Sequence, residues 1–326
     1  MRLRRSDPSE PGYGRRRQGR GFCFLDPQGR PVRDPEVVAR LRALVVPPAW
    51  REVWICPRPD GHLQATGIDA AGRKQYLYHP LWRTIRDAEK FDHVLAVAHR
   101  LPVLRRRIGA DLRARGLCRA RVLATIAGLL DTGTFRIGGD EYATGDDPTF
   151  GVATLRPGHL RSVAGAVVLT FPAKGGAEQM YRVADPRLCQ VLRALRRRRG
   201  DAERLFGYWD GQDWHDVRSD EVNGYLRGAS GVEMTAKDFR TWHATVRAAG
   251  ELAAQGPRRS PSARRRVVAG VMRSVAGLLG NTPTVARASY VHPKVVDLYH
   301  DGVVARIPAR ASRAAAEAAV LDLLRG

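Results

Sequence analysis

Residues 73–81 read Arg73-Lys74-Gln75-Tyr76-Leu77-Tyr78-His79-Pro80-Leu81, and the hydrophobic period changes there. Up to Tyr78 the residues alternate. Lys74, Tyr76 and Tyr78 fall on one face of a strand, and Arg73, Gln75 and Leu77 on the other. From Pro80 onward, Leu81, Ile85 and Phe91 begin a helical spacing. Upstream, residues 22–25, 52–56 and 62–67 read as further strands, with turns at Asp60-Gly61 and at 69–72. A helix opened by Asp34-Pro35-Glu36 interrupts them. Downstream, helical patterns cover 94–117, 119–130, 186–199, 219–227, 235–255, 260–279 and a stretch from Ser312. Residues 152–155 and 163 look like short strand pieces, and 166–171 with 179–183 form a hairpin. This predicts an α+β fold: a small N-terminal antiparallel β-sheet domain and a larger, mostly α-helical domain with a β-hairpin. The domain limits read as 21–90 and 91–326. They follow a basic flexible arm at 1–20, which is rich in Arg, Pro and Gly and poor in apolar residues.

Charge narrows the partner. Fifty-five Lys and Arg oppose thirty-three Asp and Glu, a formal net charge of +22 over 326 residues. Solubility alone does not require that excess, and nucleic acid is the first polyanion to consider. No run approaches the roughly 20 apolar residues of a membrane span. The basic start, Met1-Arg2-Leu3-Arg4-Arg5, is followed by no apolar signal core, so a cytoplasmic location without membrane contact is expected. Cys23, Cys56, Cys118 and Cys189 lie far apart, which fits reduced thiols and no zinc site.

Four features carry chemistry if DNA is the partner. Arg136 sits in the turn Arg136-Ile137-Gly138-Gly139, whose glycines allow a phosphate to approach the backbone. Lys174 lies at or beside the tip of the hairpin, in Pro172-Ala173-Lys174-Gly175-Gly176. Thr235 and Asp238 form a capping box, so Lys237 and Arg240 share a face near a helix N-terminus. In Gly280-Asn281-Thr282-Pro283-Thr284-Val285-Ala286-Arg287-Ala288-Ser289-Tyr290, Gly280 ends one helix, and Thr282 with Pro283 begins another. Tyr290, with Arg287 three residues before it, reads as a packed aromatic or as a nucleophile. The face of Lys74, Tyr76 and Tyr78 reads equally as a DNA-contacting surface or as an exposed strand. Asp140-Glu141 and Asp146-Asp147 show no facing pair and read as solvated, so no metal site is expected. The run Arg196-Arg197-Arg198-Arg199 reads as a solvated helix end.

Taken in order and spacing, the blocks Val46-Pro47-Pro48-Ala49-Trp50, Asp60-Gly61-His62-Leu63-Gln64-Ala65-Thr66-Gly67, Gly72-Arg73-Lys74-Gln75-Tyr76, Phe135-Arg136-Ile137-Gly138, Phe171-Pro172-Ala173-Lys174-Gly175-Gly176, Lys237-Asp238-Phe239-Arg240-Thr241 and Leu279-Gly280-Asn281-Thr282-Pro283 through Tyr290 resemble type IB DNA topoisomerases. The similarity is to the compact poxvirus-like form found in many bacteria, and it runs from about Phe22 to about Tyr299. It implies the catalytic fold that these enzymes share with tyrosine recombinases. It also implies a catalytic set of Tyr290, Arg136, Lys174, Arg240 and Asn281, with Asn281 standing where many members carry histidine. By the same resemblance Tyr76, Tyr78 and Tyr142 contact DNA. The implied reaction is ATP-independent relaxation of supercoiled double-stranded DNA through a 3′-phosphotyrosine, with no cofactor. The implied enzyme is a nucleoid-associated monomer that clamps the duplex, with a hinge near residues 80–92.

Two other readings compete. Tyrosine site-specific recombinases share the chemistry but commonly carry His-x-x-Arg where this chain has Lys237-Asp238-Phe239-Arg240, and their N-terminal domain is typically helical. A non-catalytic basic DNA-binding protein explains the charge but not the five aligned polar residues.

Overall fold

The computed structural model describes residues 2–19, 21–198 and 202–325. They divide into two compact units, Met1–Lys90 and Phe91–Gly326.

The smaller unit is built on one antiparallel sheet. Its strands are β1 (Tyr13–Gln18), β2 (Gly21–Leu25), β3 (Arg51–Ile55), β4 (Leu63–Ile68) and β5 (Lys74–Tyr78), in the order β2-β1-β3-β4-β5. Helix α1 (Pro35–Ala43) starts where the Asp34 carboxylate accepts the amides of Glu36 and Val37. It contributes Leu41 to a core with Phe24, Val46, Val53, Ile55 and Ala65. Strand β5 is an edge. Leu77 packs on the core, while the rings of Tyr76 and Tyr78 stack at 6.2 Å.

Residues 1–20, expected as a flexible arm, differ within the described part. Tyr13–Gln18 pair with β2 and β3 as an interior strand. Composition hides this because the strand is held by an arginine. Arg15 donates to the carbonyls of Val46 (2.7 Å), Pro47 (2.8 Å) and Trp50 (2.9 Å), and lies 4.1 Å over the Phe22 ring. Farther upstream, Arg4 bridges to Gly61, and the Trp54 indole donates to the Glu10 carbonyl.

Helix α2 (Pro80–Asp111) is continuous through residues 80–92, the expected hinge, and the division between units falls inside it. In the larger unit α3 (Arg119–Leu130) is buried along most of its length, from Val122 to Leu130. Strands β6 (Leu160–Val163), β7 (Ala166–Pro172) and β8 (Glu178–Val183) form a three-stranded sheet. Next come α4 (Pro186–Arg196), a small hairpin of β9 (Gly207–Trp209) and β10 (Trp214–Asp216), and the helices α5 (Ser219–Ser230), α6 (Ala236–Gln255), α7 (Pro261–Leu279), α8 (Pro283–Ser289), α9 (Pro293–His300) and α10 (Arg313–Arg325). Among the described residues no helix is long and apolar enough to cross a membrane.

Two local expectations change. Val152–Thr154 is a turn of 3-10 helix rather than a strand, because the Thr154 amide donates to the Gly151 carbonyl at 3.0 Å and the Leu155 amide to the Val152 carbonyl at 3.4 Å. A short buried apolar run does not distinguish the two by periodicity. The arginine run is not a uniformly solvated helix end. The Arg198 side chain is 5% exposed, bonds the Arg204 carbonyl and Asp216, and lies over the Trp214 ring. Arg199 lies outside the described residues.

An ion network around two buried acids ties α10 to the centre of the larger unit. Arg105 donates to Asp131 (2.8 and 3.0 Å) and to Glu317 (2.6 and 2.8 Å), and Arg313 donates to both acids. Burial alone would raise the Asp131 carboxyl. Its hydrogen bond with His243 and the charges of Arg105 and Arg313 outweigh burial and hold it at about 2. A depressed carboxyl stabilises the fold above its ordinary value of 3.8, and that contribution is lost as pH falls toward 2. Asp131→Asn is expected to cost about 1–3 kcal/mol in urea unfolding near neutral pH, because it leaves half-buried Arg105 and exposed Arg313 short of one charged acceptor. The difference from wild type is expected to shrink near pH 3.

Candidate active site

Helix α6 begins at a well-defined point. The Asp238 carboxylate accepts the Thr235 amide at 2.8 Å and the Thr235 hydroxyl at 3.0 Å, and His93 Nε2 lies 3.4 Å away. This start puts Lys237 and Arg240, three residues apart, on one face. Both line a cleft of about 480 Å³, together with Arg136, Tyr142, Lys174 and Tyr290. The expected residues on the Arg136 turn, the β7–β8 hairpin, α6 and the end of α8 therefore converge.

The C-terminus of α7 holds the two arginines. Arg240, 3% exposed, donates to the Thr134 carbonyl and to the Leu279 carbonyl at 2.7 Å. Arg136 Nη2 donates to the Leu279 carbonyl (3.2 Å), the Gly280 carbonyl (3.1 Å) and Asn281 Oδ1 (3.1 Å). Carbonyls at a helix C-terminus carry partial negative charge, so they suit guanidinium groups. Gly280 takes the left-handed conformation at φ +60, and the Asn281 amide closes the end onto the Ala276 carbonyl at 3.0 Å. Arginine only donates, so the Asn281 side-chain oxygen faces Arg136 and its NH2 turns away. That Nδ2 is buried and has no acceptor among the described residues, and the same holds for Arg240 Nε.

Tyr290 follows α8 directly as its C-cap residue, half-buried, with Arg240 Cζ 5.5 Å from its ring centroid. Burial pushes the phenol up. The charge of Arg240 and its hydrogen bond to the phenol, aided by Lys237 and Arg136, outweigh burial and move it below its ordinary value. Arg287 is exposed and does not line the cleft, so the cation next to the tyrosine is Arg240. Lys174 is exposed in a turn where Gly175 and Gly176 both adopt positive φ. No hydrogen bond or ion pair ties its ammonium among the described residues. Tyr142, 56% exposed, sits in the 3-10 turn Asp140–Tyr142 at the cleft edge.

Some expectations change in detail. The Gly138 backbone approaches Gly151 so closely that a Cβ there would meet Gly151 at 2.8 Å, which makes this glycine a packing requirement of the loop. Asp140 is not simply solvated, since it pairs with Arg204 (2.9 Å) and Arg218 (3.0 Å). Its neighbour Glu141 lines the cleft, an acidic group the sequence reading did not place there. Tyr181 was also missed. It packs at 4.1 Å on Phe135, and its phenol is raised by burial despite the charges of Arg240 and Arg136. Lys74, Tyr76 and Tyr78 belong to the smaller unit, where Lys74 and Tyr76 are exposed on the edge strand. Among the described residues no group of three His, Cys, Asp or Glu side chains could hold a metal ion.

Fixed guanidiniums and an untied ammonium around a phenol are groups whose chemistry suits a tetrahedral oxyanion. Residues 79–312 match the family described as eukaryotic DNA topoisomerase I, catalytic core. Residues 21–69 match the bacterial DNA topoisomerase IB N-terminal domain. The DNA topoisomerase 1B of Acanthamoeba polyphaga mimivirus is 28% identical over 272 residues, covering 81% of this chain and 80% of the viral protein. With a catalytic core matched over more than half its length and a bacterial N-terminal domain before it, the chain belongs to the type IB DNA topoisomerases, in their compact bacterial form, and is an enzyme that relaxes supercoiled DNA.

Proposed function

We propose that Tyr290 is the nucleophile and that Arg136, Arg240, Lys174 and Asn281 complete the catalytic set. The observation that carries this reading is that Arg136, Lys174 and Arg240 line one cleft with the half-buried phenol of Tyr290, while Asn281, bonded to Arg136 through its Oδ1, keeps a buried Nδ2 without an acceptor among the described residues. Cationic and amide donors gathered around a phenol call for an anionic acceptor from a bound group. Non-bridging phosphate oxygens fit that need.

In this reading the Tyr290 oxygen attacks the backbone phosphorus in line. A phosphorus–tyrosine bond forms, the bond to the 5′-oxygen breaks, and the phenolic proton passes to solvent. Charge that builds on the non-bridging oxygens is met by Arg136 and Arg240, with Asn281 donating one further hydrogen bond. The free ammonium of Lys174 protonates the departing 5′-oxygen. The 3′-phosphotyrosine conserves the phosphodiester energy, so resealing after strand rotation needs no ATP. Arg240 and Arg136 lower the phenol, which eases loss of its proton.

The same reading assigns the larger unit to the catalytic fold shared with tyrosine recombinases. It is supported by the placement of Arg136, Lys174, Arg240 and Tyr290 on a turn, a hairpin and two helices around one cleft. Lys74, Tyr76 and Tyr78, with Tyr142 and Lys237, contact double-stranded DNA. The stacked, cation-flanked tyrosines on an edge strand support the first three. The enzyme acts as a monomer on nucleoid DNA in the cytoplasm, and the units Met1–Lys90 and Phe91–Gly326 serve as its clamp and catalytic domains.

Plasmid relaxation with chelator present and ATP absent tests this function. Full relaxation with a trapped covalent adduct is expected, and a requirement for ATP would overturn it. Asn281 allows a finer prediction. Asn281→Ala is expected to slow cleavage about tenfold, the loss of one charge-assisted hydrogen bond. Asn281→His, which restores a donor, is expected to recover part of the rate in single-turnover cleavage.

A further inference from the structure

Thr245 lies on α6 five residues beyond Arg240 and is 1% exposed. Its Oγ1 has three neighbours. The Thr241 carbonyl, one turn back in the same helix, is 2.9 Å away. The Tyr290 carbonyl is 3.2 Å away, and the His292 amide donates to Oγ1 at 3.1 Å. The last two contacts bracket Val291 in the link between α8 and α9. Within that link the Tyr290 and Val291 amides both return to the Ala286 carbonyl, at 3.1 and 3.0 Å, which leaves the Tyr290 carbonyl and the His292 amide without a partner in the link. The Tyr290 carbonyl and the His292 amide therefore need partners from outside, and Thr245 supplies both.

We propose that Thr245 is a positioning residue for the nucleophile, locking the backbone of residues 290–292 to the helix that carries Lys237 and Arg240. The proposal rests on the reading of Tyr290 as nucleophile. Its physical content is a shared frame. Helix α6 presents the phosphate-binding cations at its first turns and grips the tyrosine backbone two turns deeper. One rigid element then sets the distance between the attacking oxygen and the bound phosphate. The hydroxyl proton serves either the Thr241 or the Tyr290 carbonyl. A lone pair holds the His292 amide in both cases, so the link stays docked whichever carbonyl is bonded.

The test compares Thr245→Val, which keeps the branched shape and removes the hydroxyl, with Thr245→Ser, which keeps the hydroxyl. Single-turnover cleavage of a DNA duplex is measured beside affinity for the same duplex. Thr245→Val is expected to cleave about tenfold to a hundredfold more slowly, the scale of a small misplacement of reacting groups, with affinity within about twofold of wild type. Thr245→Ser is expected to stay within about threefold of the wild-type rate. Wild-type cleavage by the Val variant overturns the proposal. Equal slowing of both variants also overturns it, since keeping the hydroxyl would then give no advantage. If Thr245→Val does not fold, Thr245→Ala takes its place with the same expectations. Tyr290→Phe in the same assay keeps the two claims apart. Cleavage by that variant sinks the nucleophile reading, whereas an inactive Phe variant beside a fully active Val variant sinks only the role of Thr245.

Discussion

Tyr290→Phe is expected to abolish plasmid relaxation, by at least about a thousandfold, while duplex affinity stays within about twofold. The substitution removes one oxygen and keeps the ring. Arg240 still has an aromatic face 5.5 Å from its guanidinium carbon, and the Tyr290 amide and carbonyl keep their bonds to Ala286 and Thr245. The fold is therefore expected to survive, and the lost rate reports chemistry. A packed aromatic, the alternative open from the residues alone, would tolerate phenylalanine with little loss.

Arg240→Ala is expected to slow cleavage by about 10²–10³, the usual cost of removing a preorganised donor from a developing oxyanion. Two further effects should accompany it. The leading influence lowering the Tyr290 phenol disappears, so burial prevails and the group titrates at higher pH. In addition, the Thr134 and Leu279 carbonyls lose a partner. Arg240→Lys keeps the charge but loses the planar fork that reaches both carbonyls while leaving Nε for the ligand, so it is expected to remain strongly impaired. Single-turnover cleavage across pH checks both variants.

The site was legible where its signals are local. The Thr235–Asp238 box, the Gly280 stop and the Thr282-Pro283 start each act within one turn of chain. The structure places Lys237, Arg240 and Tyr290 where that punctuation puts them. The β7–β8 hairpin was legible for the same reason. What stayed hidden depends on partners distant in sequence. Arg15 makes an interior strand of an arginine-rich segment by bonding carbonyls more than thirty residues away. Arg198 leaves solvent for Asp216 and Trp214. Thr245 is an ordinary buried threonine until α6 is packed against the link after α8. Arg287 misled in the opposite direction. Spacing placed it beside Tyr290, but α8 ends at Ser289 and the tyrosine turns toward α6.

The central claim is that the bond to DNA forms at Tyr290. The most direct measurement traps the covalent adduct on a nicked duplex, digests it, and identifies the DNA-linked peptide by mass spectrometry. The account predicts that the modified residue is Tyr290, joined to a 3′-phosphate. Attachment at Tyr181, the other phenol within the field of Arg136 and Arg240, or at any residue outside the cleft would contradict it.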